Sequence, residues 1–329
     1  ADLAIVALIV ILFRDGLEVE SETLRKQWHM PLRKLVIAMP LTCLFIALAA
    51  KGLFQELSWL QAFLVGALLS PTDPILTSSI IGNPRVPERI RGSLNLESGL
   101  NDGLALPAIL ALLAAIGVAN HPDESFVLWQ FVLQDIGLGV VYGVGLGLLG
   151  AKIMSLANDD LQTHLKALLG LGFAFGAYGI AHVGPHGNGL IAVFVCAIVL
   201  GIIRDDIREA VVQQTEDIAE IVKLGVFVVF GSLLTVSMLF SEGVLLTIAF
   251  VLVCFILARP IAILISLVGV KQVDFSTKLF IGWFGPKGIA TMAFGLLVLS
   301  SGIPDAERIF AIAAVVVFFS IILHGTTDT

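Results

Sequence analysis

Glu97-Ser98-Gly99-Leu100-Asn101-Asp102 lies inside an apolar stretch, residues 94–119, where a lipid-buried helix ordinarily carries no charge. A carboxylate at bilayer depth costs about 3 kcal/mol on insertion scales. A segment that keeps two of them is using at least one.

Composition identifies the solvent. Of 329 residues, 57% are apolar and 14% charged, against about 25% charged in a soluble domain. A helical span needs about 20 apolar residues, and such stretches repeat from end to end. The chain therefore reads as an all-α polytopic membrane protein, one transmembrane domain over 1–329. Eleven spans are expected, at 1–13, 31–50, 59–81, 94–119, 126–150, 161–183, 187–203, 223–241, 244–270, 277–300 and 305–325. The first is short and has neither a start methionine nor a signal-peptide pattern, so further helices are expected before Ala1. No basic patch with interleaved aromatics points to nucleic acid. Cys43, Cys196 and Cys254 lie in apolar segments without C-x-x-C spacing and read as small buried hydrophobes.

Loop charge gives orientation. Alternate loops hold fifteen of the Lys and Arg residues, Arg14, Arg33 and Lys34 among them, and the other set holds only Lys51 and Arg308. The basic loops and the C-terminus are accordingly expected on the cytoplasmic side of a plasma or inner membrane. The polar stretch Arg204–Lys223 has helically spaced Ile207, Val211, Ile218 and Ile221 and reads as an amphipathic helix along that interface.

Some charges stay inside spans: Asp73, Glu97, Asp102, Asp135, Arg259 and Lys287. Asp73 lies in Ser70-Pro71-Thr72-Asp73-Pro74 and Lys287 in Gly285-Pro286-Lys287-Gly288, where proline and glycine should break the helix. Broken backbone at membrane depth survives only where protein or a watery cavity satisfies it. Two interrupted spans in different halves of a chain point to a transporter with inverted repeats, here 31–119 and 244–325. Asp73 suits the positive half-helix ends and Lys287 the negative ones; whether either also touches substrate stays open.

Helix geometry separates the two acids of the opening segment. Ser98 and Asp102 share one face and Glu97 and Asn101 the next, with the carboxylates roughly 140° apart. Asp102 and Ser98 are assigned to a cation cavity, and Glu97 to a partner elsewhere, for which Arg259 is the one guanidinium within a span. Carboxylate, hydroxyl and carbonyl oxygens suit a hard cation. A desolvated carboxylate can equally hold a proton. One site that takes either, but not both, is the minimum machinery of antiport.

The Thr72-Asp73-Pro74 turn, the Glu97–Asp102 run followed by Gly103, and the break at Lys287 together resemble the monovalent cation:proton antiporter-1 family, the Na⁺/H⁺ exchangers of NhaP and NHE type. The resemblance covers nearly the whole chain. It implies a thirteen-helix fold of which helices three to thirteen are present, with two discontinuous crossing helices. It also implies a homodimer in the lipid bilayer, with a core (31–119 and 244–325) moving against a scaffold (1–30 and 120–243). Function would be electroneutral exchange of Na⁺ or Li⁺ for H⁺ in pH homeostasis, with no cofactor. By position, Asp102 is the ion-binding carboxylate, Ser98 and Thr72 are ligands, Asp73 and Asn101 adjoin the site, and Glu97 bridges to Arg259. Electrogenic relatives carry Asp-Asp where this chain has Asn101-Asp102. The family's usual Arg in the last broken helix is Lys287 here, which keeps the charge without the bidentate fork. Phe13-Arg14-Asp15 lacks the acid that many relatives carry directly after the Phe.

Other readings fare worse. An enzyme lacks Gly-x-Ser-x-Gly and His-Glu-x-x-His, and a channel would want a pore loop or a ring of like charge. Exchange of K⁺ on the same fold is the near alternative, since sequence does not give cavity size. Asp135 reads either as a funnel residue or as a dimer contact. The histidines, His324 at the end of the last helix included, read as interfacial or structural.

Overall fold

The structure, a computed structural model, describes residues 2–19, 29–73, 88–119, 128–156, 163–184, 187–270 and 273–327. Among these every regular element is a helix: α1 (Asp2–Leu17), α2 (His29–Leu53), α3 (Trp59–Leu69), α4 (Glu88–Ala119), α5 (Trp129–Leu156), α6 (Thr163–Val183), α7 (Gly189–Ile203), α8 (Asp205–Leu233), α9 (Val236–Leu239), α10 (Val244–Ser266), α11 (Phe275–Trp283), α12 (Ile289–Ser300) and α13 (Ala306–Thr327). Six of them, α2, α4, α5, α6, α10 and α13, are long and apolar enough to cross a membrane, so the protein is a multi-pass membrane protein.

The eleven expected spans are not all of that kind. The expected span 59–81 contributes only the 11-residue α3 before Pro71, and 277–300 is cut into α11 and α12. The apolar α7 has 15 residues and α1 has 16. Polar 204–223 and apolar 223–241 do not form two helices either; α8 is a single helix of 29 residues. No Gly or Pro interrupts 205–224, so nothing in the sequence stops it. Two of its charges, Glu216 and Lys223, pair within the protein. Glu216 accepts from Arg14 Nε at 2.7 Å and from Lys223 Nζ at 3.3 Å, and Arg14 also reaches Asp15 and Glu18.

Two compact units emerge. One comprises residues 26–125 and 227–329 with Ala1, the other residues 2–25 and 126–226. In the second, α1 and α5 pack on α7 through small residues. Gly139, Gly143 and Gly147, one turn apart on α5, face α7 so closely that a Cβ on Gly143 would lie 2.6 Å from the Ala192 carbonyl oxygen and 2.7 Å from Val195 Cβ. Small residues in a row let helix backbones approach where lipid gives no hydrophobic drive. In the first unit, α2 packs on α3 and on α10, α3 on α4, and α13 on both α3 and α12.

Two helices of the first unit carry a π turn followed by proline. Lys34–Ala38 in α2 precedes Pro40, and Val253–Ala258 in α10 precedes Pro260. Proline removes an N–H from the ladder, and a π turn is one way the backbone absorbs it. Lys34 and Arg259 sit at these two irregularities.

The glycine row gives a paired prediction. Gly143→Leu must push α7 aside and should lower stability by about 1–3 kcal/mol. Gly145→Ala, on the same helix with nothing within 4 Å of its Cβ, should be neutral or stabilising by about 0.5–1 kcal/mol. Apparent melting temperatures of the purified protein in detergent compare them.

Candidate ion site at two broken helices

The first break is local in origin. Ser58 and Gln61 form a capping box that starts α3, and α3 stops at Leu69 ahead of Pro71, leaving residues 71–73 non-helical. The second follows Trp283: residues 284–288 are non-helical around Gly285 and Pro286, and α12 begins at Ile289. Pro74 lies outside the described residues.

The two breaks satisfy each other. The Asp73 N–H donates to the Pro286 carbonyl at 3.0 Å. The Asp73 carboxylate accepts from the Ile289 N–H at 2.8 Å, the first turn of α12. In return the Lys287 ammonium donates to the Pro71 carbonyl at 3.0 Å, just beyond the C-terminal end of α3. The acid thus meets a positive helix end and the base a negative one. Glycine makes the approach possible. A Cβ at Gly288 would overlap the Asp73 carboxylate, and one at Gly285 the Arg259 guanidinium.

Glu97, buried on α4, is held by two cations. Arg259 Nη2 donates to Oε1 at 3.1 Å and Lys34 Nζ to Oε2 at 2.6 Å. Lys34 is only 1% exposed. It is not a loop residue, as its neighbour Arg33 led the sequence reading to treat it. The signal was its position inside the segment 31–50. Arg14 and Lys223 are likewise enclosed by ion pairs, and removing all three from the loop charge leaves its asymmetry in place.

One turn along α4, Asn101 reaches the first break. Its Nδ2 donates to the Thr72 carbonyl at 2.7 Å and to Thr72 Oγ1 at 3.0 Å. Asn101 Oδ1 is buried without a hydrogen-bond partner among the described residues. Asp102, 5% exposed, follows it on α4. Thr72, Asp73, Asn101, Asp102, Glu97, Arg259 and Lys287 therefore gather in one unit around the two breaks. The Ser98 side chain lies outside the described residues. Asp135 belongs to the other unit, in a π turn of α5 whose carbonyl accepts from the Asn188 N–H.

Two more residues complete the surroundings: His324, read from the sequence as interfacial or structural, and Ser320. Ser320 Oγ accepts from the Lys287 N–H at 2.7 Å, and His324 Nε2 lies 3.0 Å from the Trp283 carbonyl oxygen. Nothing in the sequence marks a serine and a histidine one turn apart as partners of a distant break.

The family model for the transmembrane part of sodium/hydrogen exchangers matches residues 2–328. The chain belongs to the sodium/hydrogen exchanger family. It is 29% identical over 325 residues to the K(+)/H(+) antiporter NhaP2 of Shewanella sp. (strain MR-4), covering 98% of this chain and 55% of that protein. The Na(+)/H(+) antiporter NhaG of Bacillus atrophaeus is 29% identical over 277 residues, 81% of this chain and 51% of the relative. The chain thus spans about half the length of the curated relatives it matches. Its fold is that of the sodium proton antiporter MjNhaP1 from Methanocaldococcus jannaschii, with TM-score 0.84 at 20% identity over 98% of this chain and 82% of the other.

For this exchanger the double grip on Glu97 predicts an asymmetric mutational cycle. Glu97→Gln strands two buried cations and should cost the most, at or above the roughly 3–5 kcal/mol of a broken buried pair. Arg259→Met and Lys34→Met each leave Glu97 one partner and should cost less. Adding Arg259→Met to Glu97→Gln should recover only part of the loss, and the triple variant more. Additive losses, measured as thermal stability in detergent, would exclude a shared network.

Proposed function

We propose that this chain forms the translocating part of an antiporter that exchanges a monovalent cation for H⁺, the two competing for Asp102. The observation that carries the reading is the placement of a buried carboxylate beside Asn101, which is itself tied to the broken segment through Thr72. Asn101 Oδ1 is unengaged by the described residues. Carboxylate, amide, carbonyl and hydroxyl oxygens are the hard donors that suit an alkali cation, and in this reading Asp102, Asn101, Thr72 and Ser98 supply them.

Exchange is electroneutral in this reading for a simple reason. Asp102 loaded with one proton and Asp102 loaded with one monovalent cation carry the same charge. Glu97 serves as the structural anchor with Lys34 and Arg259, while Asp73 and Lys287 compensate the half-helix ends. The unit of residues 26–125 and 227–329 acts as the moving core, built from inverted repeats over 31–119 and 244–325. The other unit acts as the scaffold of a homodimer. The basic loops and the C-terminus face the cytoplasm, which the loop asymmetry supports.

Na⁺, or Li⁺, is the first assignment for the cation. K⁺ is the second reading, favoured because the K(+)/H(+) antiporter NhaP2 matches 98% of this chain whereas the Na(+)/H(+) antiporter NhaG matches 81%.

Proteoliposomes with an imposed pH gradient test the proposal, with Na⁺, Li⁺ and K⁺ offered in turn at clamped voltage. Rates should not respond to membrane potential; a strong response would place a second titrating carboxylate in the path, with Asp73 next in line. Asp102→Asn should abolish exchange while leaving yield and thermal stability near wild type or higher, because it removes a desolvated carboxylate. Below the site's titration range the apparent cation affinity should weaken about tenfold per pH unit, with little change in maximal rate. Cation-driven proton movement that persists in Asp102→Asn would sink the assignment.

A further inference from the structure

The second break is gripped from α13 as well as from the first break, and the chemistry of that grip is specific. The Trp283 carbonyl, which only accepts, lies 3.0 Å from His324 Nε2. Nδ1 lies 3.3 Å from Ser320 Oγ and 3.0 Å from the Ser320 carbonyl oxygen. Ser320 Oγ also accepts from the Lys287 N–H at 2.7 Å. A continuous chain of contacts results: Lys287 N–H to Ser320 Oγ, Ser320 Oγ to His324 Nδ1, His324 Nε2 to the Trp283 carbonyl. It joins the last residue of α11 to the residue before Gly288, across the break. Both side chains are fully buried, and the ring sits between Phe255 of α10 and Trp283, centroids 5.5 and 5.6 Å away.

We propose that Ser320 and His324 are positioning residues for exchange, a clamp that holds the α11–α12 break so that Lys287 stays seated on Pro71.

The inference rests on the antiport reading for its rate measurements, and amide exchange of the segment 283–289 tests it without transport. The full chain is compared as wild type, His324→Phe, His324→Gln and Ser320→Ala. His324→Phe should speed amide exchange across 283–289 and cut the maximal rate at alkaline pH about tenfold, the scale of a small misplacement near a reacting site. Ser320→Ala, a smaller change, should speed exchange at Lys287. His324→Gln keeps an N–H for the Trp283 carbonyl and should recover most of the lost rate. Wild-type protection of 283–289 in both His324→Phe and Ser320→Ala overturns the clamp. Absence of wild-type exchange with all three cations sinks the antiport reading, and amide exchange then decides the clamp by itself.

Discussion

The reciprocal bond between two interrupted helices is the constraint on which the candidate site depends. Interrupting a helix at membrane depth frees N–H and C=O groups that lipid cannot satisfy. Here each break supplies what the other lacks. Asp73 brings a carboxylate to the N–H of Ile289 and its own N–H to Pro286, and Lys287 brings an ammonium to the carbonyl of Pro71. Gly285 and Gly288 are required less for backbone freedom than for room, since side chains there would collide with Arg259 and Asp73. The irregular backbone so held is what can offer the Thr72 oxygens to a cation.

Around that crossing the buried charges balance. Lys34, Arg259 and Lys287 face Asp73, Glu97 and Asp102, all six of them buried. Glu97 takes two of the cations directly. A carboxylate with a charged donor on each oxygen is poorly placed to exchange protons or ions, because releasing it strands two ammonium-type charges at several kcal/mol each. That separates Glu97 from Asp102, although they are five residues apart on one helix.

Much of this was legible in the sequence. Prolines and glycines beside a charge mark both breaks, and helical spacing already sends Glu97 and Asp102 to different faces. What stayed hidden depends on tertiary contact. Lys34 adjoins Arg33, and a short basic pair at a helix start looks like an interfacial loop until a buried acid is found opposite. Polar residues 204–223 read as a helix separate from 223–241 because their composition changes there, although no Gly or Pro interrupts residues 205–224. Neither Ser320 nor His324 carries a local signal, since each acts on backbone 33 to 41 residues away. Hydropathy marked apolar segments but misjudged helix lengths at 59–81 and 277–300, because it does not see where proline ends them.

In the inverted-repeat reading, the two halves are electrically incomplete alone. Among the described buried charges, the half over 31–119 holds Lys34 with Asp73, Glu97 and Asp102, an excess of two negative charges, and the half over 244–325 holds Arg259 and Lys287, an excess of two positive ones. Each half also brings a π turn followed by proline in its first helix, with a cation at the irregularity, and both cations converge on the one carboxylate Glu97. Charge of this size is tolerable in an apolar interior only when paired. The halves must therefore dock before either is stable, and the docking that neutralises them is the same docking that assembles the crossing. Folding and formation of the ion site are one event in this architecture.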